Sequence, residues 1–453
     1  MNLQNKQFLV VGMGKSGIAA AELLVLHQMK VVIFDENPDL NPKDVWKQSD
    51  KLGMVPVVVG KLPEEIKNQI DICIMSPGVP TDLPIIQQLK QRNVLIWGEI
   101  ELAYRFSMGS LIGITGTNGK TTTTSLVGEI MQSHFESVKV VGNIGIPYTQ
   151  MVSEMNEDTV TVAEISSFQL ETVDSFHPNV SAVLNIQPDH LNRHHTMENY
   201  IGAKERIFEN QTEADCCVLN YDDLVTRKMS EKTKAKVCFF SSKQELEEGF
   251  FVREDWICRN LNETTESYMN IHDMNLVGMC NVENVMAAMA IGTFLGVPKD
   301  KIIETVCNFK AVEHRIEFVA QKNGVVYYND SKATNPDAAI QGIRAMNKPT
   351  ILIGGGYDKG NDFDDWIEAF DSKVKLLILI GATAEKIAHT AKKHGMNQYC
   401  IAKSFEEAME LAIQNAKEGD AVLLSPACAS WGMFPNYEER GKLFKSIVNQ
   451  IKE

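Results

Sequence analysis

The chain has 453 residues, of which 44% are hydrophobic, and it carries a formal net charge of −15. Hydrophobic cores stop growing beyond roughly 250–300 residues, so a chain of this length is expected to form two or three domains. The negative charge argues against nucleic acid or an anionic membrane as the main partner. No apolar run approaches the ~18 residues of a membrane-spanning helix.

The start of the chain and its cysteines both indicate a cytoplasmic protein. No signal peptide is recognisable, since the apolar run Phe8–Val11 reaches Gly12 at once. The nine cysteines are scattered without C-x-x-C spacing, which is typical of reduced thiols. Nothing in the sequence demands more than a monomer, and a monomer is what we expect.

The first predicted unit begins with a strand, a glycine-rich turn and a helix. Residues 7–14 predict the apolar strand, the turn reads Gly12-Met-Gly-Lys-Ser-Gly17, and a strand over 31–34 ends at Asp35. This order, with an acidic residue about 20 positions after the glycines, is typical of dinucleotide-binding βαβ units. The unit is predicted to close near Gly98.

The most informative segment is the decapeptide Gly113-Ile-Thr-Gly-Thr-Asn-Gly-Lys-Thr-Thr122. It joins a predicted strand to a predicted helix, so N–H groups and the helix dipole are aimed at one anion, and Lys120 adds a mobile cation. The Thr121 hydroxyl is placed to bind Mg²⁺. Ile114 stands where the strict P-loop pattern requires glycine, and the loop glycine is Gly116. We interpret the segment as a P-loop variant that binds a nucleoside triphosphate; a plain glycine-rich turn is the alternative.

Apolar runs elsewhere predict further strands, most of them followed by helices. These runs lie at 72–75, 138–141, 159–163, 180–184, 216–219, 325–328, 350–353, 376–380 and 421–424. A clear helix is predicted over 281–295, whereas 240–280 has mixed patterns and gives no ordered prediction. The alternation of strands and helices indicates an α/β fold with parallel sheets covered on both faces. We predict three domains, at 1–98, 99–311 and 312–453.

Three residues of the second unit carry groups suited to metal or phosphate chemistry. Glu164 ends a strand after the P-loop, where a carboxylate can hold Mg²⁺ against phosphates. His190 follows the next strand, and ligands at the carboxyl ends of neighbouring parallel strands converge. Taken alone, Glu164 and His190 each also fit an ordinary solvent-exposed residue without a function. By spacing alone, Lys204 is an ordinary surface lysine on a helix.

Turns of small residues follow several strands of the third unit. Residues 354–359 and 425–430 let a ligand approach the backbone closely, and 330–334 add a carboxylate, a cation and hydroxyls in one loop. Each signal is weak alone. Their common position at the carboxyl ends of strands predicts a binding face.

Eight short segments follow one another along the chain. They are 115–122 (TGTNGKTT), 142–145 (GNIG), 163–169 (AEISSFQ), 188–190 (PDH), 203–207 (AKERI), 281–284 (NVEN), 313–315 (EHR) and 329–332 (NDSK). In type and order they resemble the Mur ligases of peptidoglycan synthesis, over essentially the whole chain. The segments 12–17, 75–78 and 424–430, with Gly441, are similar to family members that add D-glutamate to UDP-N-acetylmuramoyl-L-alanine. Gly432 departs from that pattern, since an acidic residue is usual there.

The resemblance implies a fold and a reaction. The fold would be a Rossmann-like N-terminal domain for the UDP substrate, a central P-loop ATPase-like parallel-sheet domain, and a C-terminal Rossmann-like α/β domain for the amino acid. The reaction would be ATP-dependent amide formation through an acyl phosphate, giving ADP and phosphate. Its cofactors would be ATP, two Mg²⁺ ions and a carbamate on Lys204, since an ammonium cannot ligate Mg²⁺.

The resemblance also assigns roles to individual residues. The catalytic residues would be Lys120, His190 and Lys204, and the metal ligands Thr121, Glu164, His190 and Lys204. The ATP-binding residues would be Gly116, Thr117, Asn118, Gly119, Lys120, Thr121, Thr122, Asn284, Arg315 and Asp330. The UDP-substrate residues would be Lys15, Ser16, Asp35, Gly78, Asn143 and Gln169. The D-glutamate residues would be Lys332, Thr334, Lys359, Ser430 and Tyr437.

Three other functions remain open on the sequence. A nicotinamide or flavin oxidoreductase would use the Gly12–Gly17 turn but leave the P-loop variant without a role. Folylpolyglutamate synthase shares the P-loop variant and the acyl-phosphate chemistry, but it lacks a UDP-binding first domain. A non-catalytic regulator would bind ATP and release no phosphate with any candidate substrate.

Overall fold

The computed structural model describes residues 3–53, 55–143 and 145–452; for Asn192 only the backbone is described. These residues form two compact units. One contains the chain up to Asn270 together with Asn284–Val306, and the other contains Ile271–Glu283 and the chain from Cys307 onward. The first unit holds two β-sheets and the second unit holds one.

The first sheet has five parallel strands in the order β3-β2-β1-β4-β5. Its strands are β1 (Gln7–Val11), β2 (Lys30–Asp35), β3 (Val57–Val59), β4 (Ile72–Met75) and β5 (Leu95–Gly98). The accompanying helices are α1 (Lys15–Leu26), α2 (Pro42–Gln48), α3 (Glu64–Lys67), α4 (Pro84–Gln91) and α5 (Glu99–Phe106). After Gln7, the central strand β1 is an unbroken run of buried apolar residues because helices cover both faces of the sheet.

The second sheet has nine strands in the order β14-β13-β12-β11-β10-β9-β6-β8-β7. They are β6 (Ser110–Thr115), β7 (Val138–Gly142), β8 (Val160–Glu164), β9 (Val180–Val183), β10 (Cys216–Asn220), β11 (Lys236–Ser241), β12 (Gly249–Arg253), β13 (Trp256–Leu261) and β14 (Thr264–Asn270). The helices are α6 (Lys120–Gln132), α7 (Tyr148–Met151), α8 (Ser167–Leu170), α9 (Leu191–His194), α10 (Met197–Glu205), α11 (Leu224–Met229), α12 (Met279–Phe294) and α13 (Lys299–Asn308). Strands β6 to β12 pair in parallel, and β12, β13 and β14 pair antiparallel.

The antiparallel strands β12 to β14 explain why residues 240–280 had no ordered prediction. Two-residue turns join its strands, at Glu254-Asp255 and at Asn262-Glu263. In the second turn both residues have left-handed φ angles, of 51° and 60°. Such turns usually carry glycine, and neither does, so the usual hairpin signal is missing.

The third sheet has six strands in the order β15-β16-β20-β17-β18-β19. They are β15 (Glu317–Lys322), β16 (Val325–Asn329), β17 (Thr350–Gly355), β18 (Val374–Ile380), β19 (Tyr399–Ile401) and β20 (Ala421–Leu424). The helices are α14 (Pro336–Ala345), α15 (Asp364–Glu368), α16 (Ala384–Lys393), α17 (Phe405–Asn415) and α18 (Tyr437–Asn449). Only β15 pairs antiparallel in this sheet, and β20 lies between β16 and β17. The loops that follow these three parallel strands therefore start side by side.

The predicted α/β fold with three mainly parallel sheets is confirmed, and each apolar run predicted as a strand overlaps one. The helix predicted over 281–295 is α12. The first two sheets share one apolar core, which includes Trp97, Ile100 and Tyr148, so they form one packed unit. The domain boundaries predicted at 98/99 and 311/312 remain a prediction.

No described helix is long and apolar enough to cross a membrane. All nine cysteines are free thiols. Cys216 and Cys217, which are adjacent in the sequence, are buried in β10 as apolar strand residues.

Candidate active site

The P-loop variant forms the turn between β6 and α6, and two of its glycines meet specific backbone demands. Gly119 precedes the helix with a left-handed φ of 85°. A Cβ added there would lie 2.2 Å from Asn284 Oδ1. Gly116 has a φ of 151° and lies against Leu184. The turn can adopt this tight form because both positions lack a side chain.

The loop that follows β9 holds the P-loop backbone in position. The Thr117 amide donates to Asn185 O at 2.9 Å, and the Asn118 amide donates to Asn185 Oδ1 at 2.8 Å. Asn185 Nδ2 in turn donates to Asn118 O at 3.1 Å. The buried Thr117 side chain contacts Gln187 and the Tyr200 hydroxyl. These contacts hold the P-loop against the loop after β9, and they direct the Thr117 and Asn118 amides at Asn185.

Two lysines converge on one carbonyl of this turn. Lys120 Nζ donates to Gly116 O at 2.9 Å and to Thr117 O at 2.8 Å. Lys204 Nζ donates to the same Gly116 O at 2.8 Å and to Thr115 Oγ1 at 3.3 Å. The Lys120 ammonium group, the Lys204 amino group and the helix N-terminus together make a region of positive potential, which suits a polyphosphate.

Lys204 is buried, with 1% of its surface exposed. Burial, with a smaller contribution from the nearby charge of Lys120, lowers its pKa well below the ordinary value for lysine. The interpretation of Lys204 from spacing alone, as an exposed helix lysine, was therefore wrong. It lies on the same face of α10 as Tyr200, against the P-loop.

Glu164 ends β8 beside the P-loop strand. Its Oε1 accepts a hydrogen bond from Asn143 Nδ2 at 2.8 Å, and its Oε2 is buried without a hydrogen-bond partner. A buried carboxylate oxygen without a donor is costly unless a cation or proton approaches it. In the described part of the chain, no group of three or more His, Cys, Asp and Glu side chains is arranged for a metal ion. A single carboxylate such as Glu164 fits Mg²⁺, because this ion usually takes one or two carboxylates and completes its shell with phosphates and water.

The first turn of α6 carries the remaining P-loop candidates. Thr121 and Thr122 are buried there. Thr123 Oγ1 donates to Asn284 Oδ1 at 3.3 Å, which brings the start of α6 together with α12.

His190 lies in a loop between β9 and α10, next to a cluster of aromatic rings. Its backbone is left-handed, with a φ of 54°, and its ring is 4.8 Å from the Phe168 ring and 3.4 Å from Asp189 Oδ2. Phe168 also stacks on His194, whose ring contacts Tyr200. Burial lowers the pKa of His194, and its Nε2 is 2.9 Å from Ser167 Oγ.

The candidates for the UDP end lie on turns at the carboxyl edge of the first sheet and on the nearby loops. Asp35 Oδ2 accepts from the Met13 amide at 3.2 Å, so this carboxylate supports the glycine-rich turn. Lys15 and Gly78 are exposed, and Ser16 is partly buried. Ile144, in the segment 142–145, lies outside the described residues.

Gln169 has a structural task that the sequence analysis missed, although Ser166-Ser-Phe-Gln169 fits the capping-box pattern. It closes a capping box at the start of α8, where its Oε1 accepts from the Ser166 amide at 2.9 Å and from Ser166 Oγ at 3.0 Å. Only its amide nitrogen is therefore left to act as a donor elsewhere.

In the second unit, Asp330 is a buried carboxylate at the end of β16. It accepts from Ser425 Oγ at 2.7 Å and from the Ile316 amide at 3.2 Å. Burial raises its pKa to about 6, although the charges of Arg315 and Arg440 oppose that shift. Arg315 Nε is buried without a partner.

The D-glutamate candidates also lie in this unit. Lys332 Nζ is 5.8 Å from the centre of the Tyr437 ring, and the exposed Lys359 is 5.2 Å from the Trp431 ring. Ser430 is buried and Thr334 is partly buried, in the loops after β20 and β16. These residues belong to the three adjacent strand ends or to the start of α18, as predicted for a binding face.

Arg440, which the sequence analysis missed, ties two of these loops together. It is buried in α18, and its guanidinium donates to Ser331 Oγ at 3.0 Å, to Ser331 O at 2.8 Å and to Cys428 O at 3.2 Å. Burial lowers its pKa to about 10. A signal existed, because Arg440 shares an i, i+4, i+8 stripe with the buried Phe444 and Val448.

Comparison with known proteins assigns the chain to a family. The MurD-like N-terminal domain of Mur ligases matches residues 6–98, the Mur ligase middle domain matches 114–292, and the Mur ligase glutamate ligase domain matches 314–428. The chain belongs to the Mur ligase family. Its similarity extends to full-length relatives, each named UDP-N-acetylmuramoylalanine–D-glutamate ligase. Those from Lachnoclostridium phytofermentans, Lachnospira eligens and Clostridioides difficile are 52%, 54% and 44% identical, with both chains fully covered.

Solved structures of more distant Mur ligases share the fold. The UDP-N-acetylmuramate–alanine ligase MurC from Thermotoga maritima matches with a TM-score of 0.61 at 18% identity, over 98% of this chain and 100% of that one. MurF from Acinetobacter baumannii matches with a TM-score of 0.60 at 18% identity, over 85% and 87% of the two chains. As a Mur ligase, this chain is an ATP-dependent ligase. The individual roles of its site residues remain predictions.

Proposed function

We propose that this Mur ligase joins D-glutamate to UDP-N-acetylmuramoyl-L-alanine, forming an amide and converting ATP to ADP and phosphate. The observation that carries the proposal is the match of all three domains, with 52% identity over the full chain to a relative named for that reaction. The converging lysines and the partnerless Glu164 oxygen are what a phosphoryl-transfer site needs.

The reaction has two steps. The terminal carboxylate of the nucleotide-sugar attacks the γ-phosphorus of ATP, which forms an acyl phosphate and releases ADP. The amine of D-glutamate then attacks the acyl carbon, loses a proton, and the tetrahedral intermediate collapses to amide and phosphate. A carboxylate is a poor electrophile, and phosphorylation supplies the leaving group. Lys120 and the P-loop amides stabilise the negative charge that gathers on the transferred phosphoryl.

Two Mg²⁺ ions would neutralise phosphate charge during that transfer. Thr121 and Glu164 would hold the first ion. His190 and Lys204 would hold the second, with Lys204 in carbamate form. The lowered pKa of Lys204 supports this modification, because only a neutral amine reacts with CO₂. The reaction joins the neutral amine nitrogen to the carbon of CO₂ and releases one proton from that nitrogen, so the neutral amine becomes an anionic oxygen donor.

The other candidates fall into three binding roles. Asn284 and Asp330 would contact the adenosine of ATP, and Arg315 would contact its γ-phosphate. Lys15, Ser16, Asp35 and Gly78 would bind the uridine diphosphate, with Asn143 and Gln169 nearer the sugar and alanine. Lys332, Thr334, Lys359, Ser430 and Tyr437 would bind the two carboxylates of D-glutamate, since charge-assisted hydrogen bonds recognise such groups best.

In the cell, this activity would build a peptidoglycan precursor and so support cell-wall growth, cell shape and division. We place it in the cytoplasm as a monomer that acts on small molecules. The nine free cysteines support a reducing compartment.

The decisive experiment measures ATP-dependent phosphate release with UDP-N-acetylmuramoyl-L-alanine as the acceptor. D-Glutamate should give turnover and a product of the expected mass, and L-glutamate, L-alanine and L-lysine should not. Turnover with a folate and L-glutamate instead would identify a folylpolyglutamate synthase. ATP binding without phosphate release in any mixture would identify a non-catalytic regulator. Absorbance changes of added nicotinamide cofactors are not expected.

A further inference from the structure

Arg193, in the short helix α9, joins the segment after β9 to a turn of the first sheet. Its Nη1 donates to Pro77 O at 2.9 Å, and its Nη2 donates to Val79 O at 3.2 Å. These two carbonyls lie on either side of Gly78, which is exposed and is a candidate for the UDP end. One planar guanidinium therefore spans the turn at which the nucleotide-sugar is expected to bind.

Arg193 is itself held from two sides, by Phe168 of α8 and by Glu171 at the end of that helix. Its Nη2 also contacts Glu171 Oε2 at 2.9 Å, and its guanidinium carbon lies 4.1 Å from the centre of the Phe168 ring. Only 15% of the Arg193 side chain is exposed. A partly buried, charge-paired and stacked arginine has little rotational freedom. The two carbonyls to which it donates are therefore held in place.

The turn held by Arg193 packs against the glycine-rich turn after β1. The Ser76 amide donates to Val11 O at 3.0 Å, and the Val79 amide closes the turn on Ser76 O at 3.0 Å. A Cβ at Gly12 would lie 2.8 Å from Ser76 Oγ and 3.2 Å from a Val79 methyl. A shift of the turn at 76–79 would therefore disturb both turns that form the candidate UDP site.

We propose that Arg193 is a positioning residue for the nucleotide-sugar, holding the turn at 76–79 in the geometry that the substrate binds. This inference rests on the proposed function. Binding of the nucleotide-sugar at the first sheet would then depend on the segment after β9, which also carries His190. The substrate itself would contact the turn, and Arg193 would act through the carbonyls of Pro77 and Val79.

Arg206 offers a matched control in the same unit. Its guanidinium also donates to backbone carbonyls, those of Leu170, Glu171 and Val173, and also contacts Glu209, but not the first-sheet turn. Replacing either arginine with alanine removes a cation that binds carbonyls. Only Arg193→Ala releases the turn at 76–79.

Steady-state kinetics of the purified full-length protein should separate the two variants. In Arg193→Ala, the KM for UDP-N-acetylmuramoyl-L-alanine should rise about tenfold or more, while kcat stays within about threefold. The KM values for ATP and D-glutamate should stay within about twofold of wild type. Ethylguanidinium, added well below denaturing concentrations, should lower the raised KM of Arg193→Ala, and in Arg206→Ala no KM should rise selectively.

Arg193→Lys provides a second test if the alanine variant does not fold. Lysine keeps the charge near Glu171 but cannot bridge both carbonyls with one planar fork, so the same selective rise in KM is expected. An unchanged KM for the nucleotide-sugar would overturn the inference. So would equal losses in every kinetic constant, accompanied by the same fall in melting temperature as in Arg206→Ala. Either result leaves the proposed function intact, because that depends on wild-type turnover alone.

Discussion

Gly119→Ala is the sharpest perturbation of the nucleotide site, because the structure gives two separate costs for it. Alanine would have to keep the left-handed φ of 85°, which costs about 1–2 kcal/mol for a residue with a side chain. Its Cβ would also lie 2.2 Å from Asn284 Oδ1 and 3.3 Å from a Leu184 methyl. The Asn284 side chain must therefore move.

Moving Asn284 has its own cost, since it breaks the 3.3 Å hydrogen bond from Thr123 Oγ1. A typical hydrogen bond contributes about 1 kcal/mol, so the two costs together reach about 2–3 kcal/mol. Because Asn284 is also proposed to contact adenosine, its displacement should weaken ATP binding about tenfold or more.

Calorimetric titration with a non-hydrolysable ATP analogue and thermal unfolding measure the two effects. Gly296→Ala is the matched control, because Gly296 has a φ of 79° and no atom within 4 Å of an added Cβ. It should lose only the backbone cost of about 1–2 kcal/mol of stability and bind the analogue normally. The double variant Gly119→Ala/Asn284→Ala should lose less affinity than the sum of the single variants, since the obstructing oxygen is gone. Affinity in Gly119→Ala equal to that in Gly296→Ala, or strict additivity with Asn284→Ala, would refute this reasoning.

The other predictions address individual charged groups. Lys120→Ala should abolish turnover without changing the melting temperature appreciably, because the transferred phosphoryl loses its nearest cation; retained activity would remove the P-loop from the mechanism. Lys204→Ala should be almost inactive, and a short carboxylic acid should restore part of the rate; ¹³CO₂ trapping followed by NMR should detect a carbamate in wild type only. Lys359→Ala should raise the KM for D-glutamate far more than that for ATP, and equal effects would reassign this lysine to the nucleotide. Burial raises the pKa of Asp330 from 3.8 to about 6, so this group favours the folded state below pH ~4 and that contribution is lost as pH rises to ~6. The melting temperature of Asp330→Asn relative to wild type should therefore increase across this range; a constant difference would contradict the assignment.

The sequence predicted the three sheets well because their strands are apolar runs of the length that buried parallel strands require. It gave nothing for the antiparallel extension β12–β14. There, polar and apolar residues mix because part of the ribbon is exposed, and the turn Asn262-Glu263 has no glycine to mark it. Local pattern was informative where a strand is a mainly apolar run, as in the buried strands and in the edge strand β7.

The site was predictable where chemistry lies in one contiguous segment, as in the P-loop. Spacing alone predicted a surface position for Lys204, although Tyr200 and Ala203 lie on the same face of α10 and are both buried. A cation inside such an apolar stripe is the signal that could have identified it, as with Arg440. Arg193 gave no sequence signal, because its partners Pro77 and Val79 are more than 100 positions away and contribute only backbone carbonyls.

The resting position of Lys120 has a consequence for inhibitors. Its ammonium group donates hydrogen bonds to the carbonyls of Gly116 and Thr117, so the loop itself satisfies this cation. A nucleoside analogue without phosphate leaves these hydrogen bonds intact, and its affinity should depend little on ionic strength. A phosphate-bearing ligand must draw the ammonium group away from the carbonyls and gains a charge-assisted contact in exchange. Neutral inhibitors of this site would therefore bind the resting loop and retain their potency at high salt.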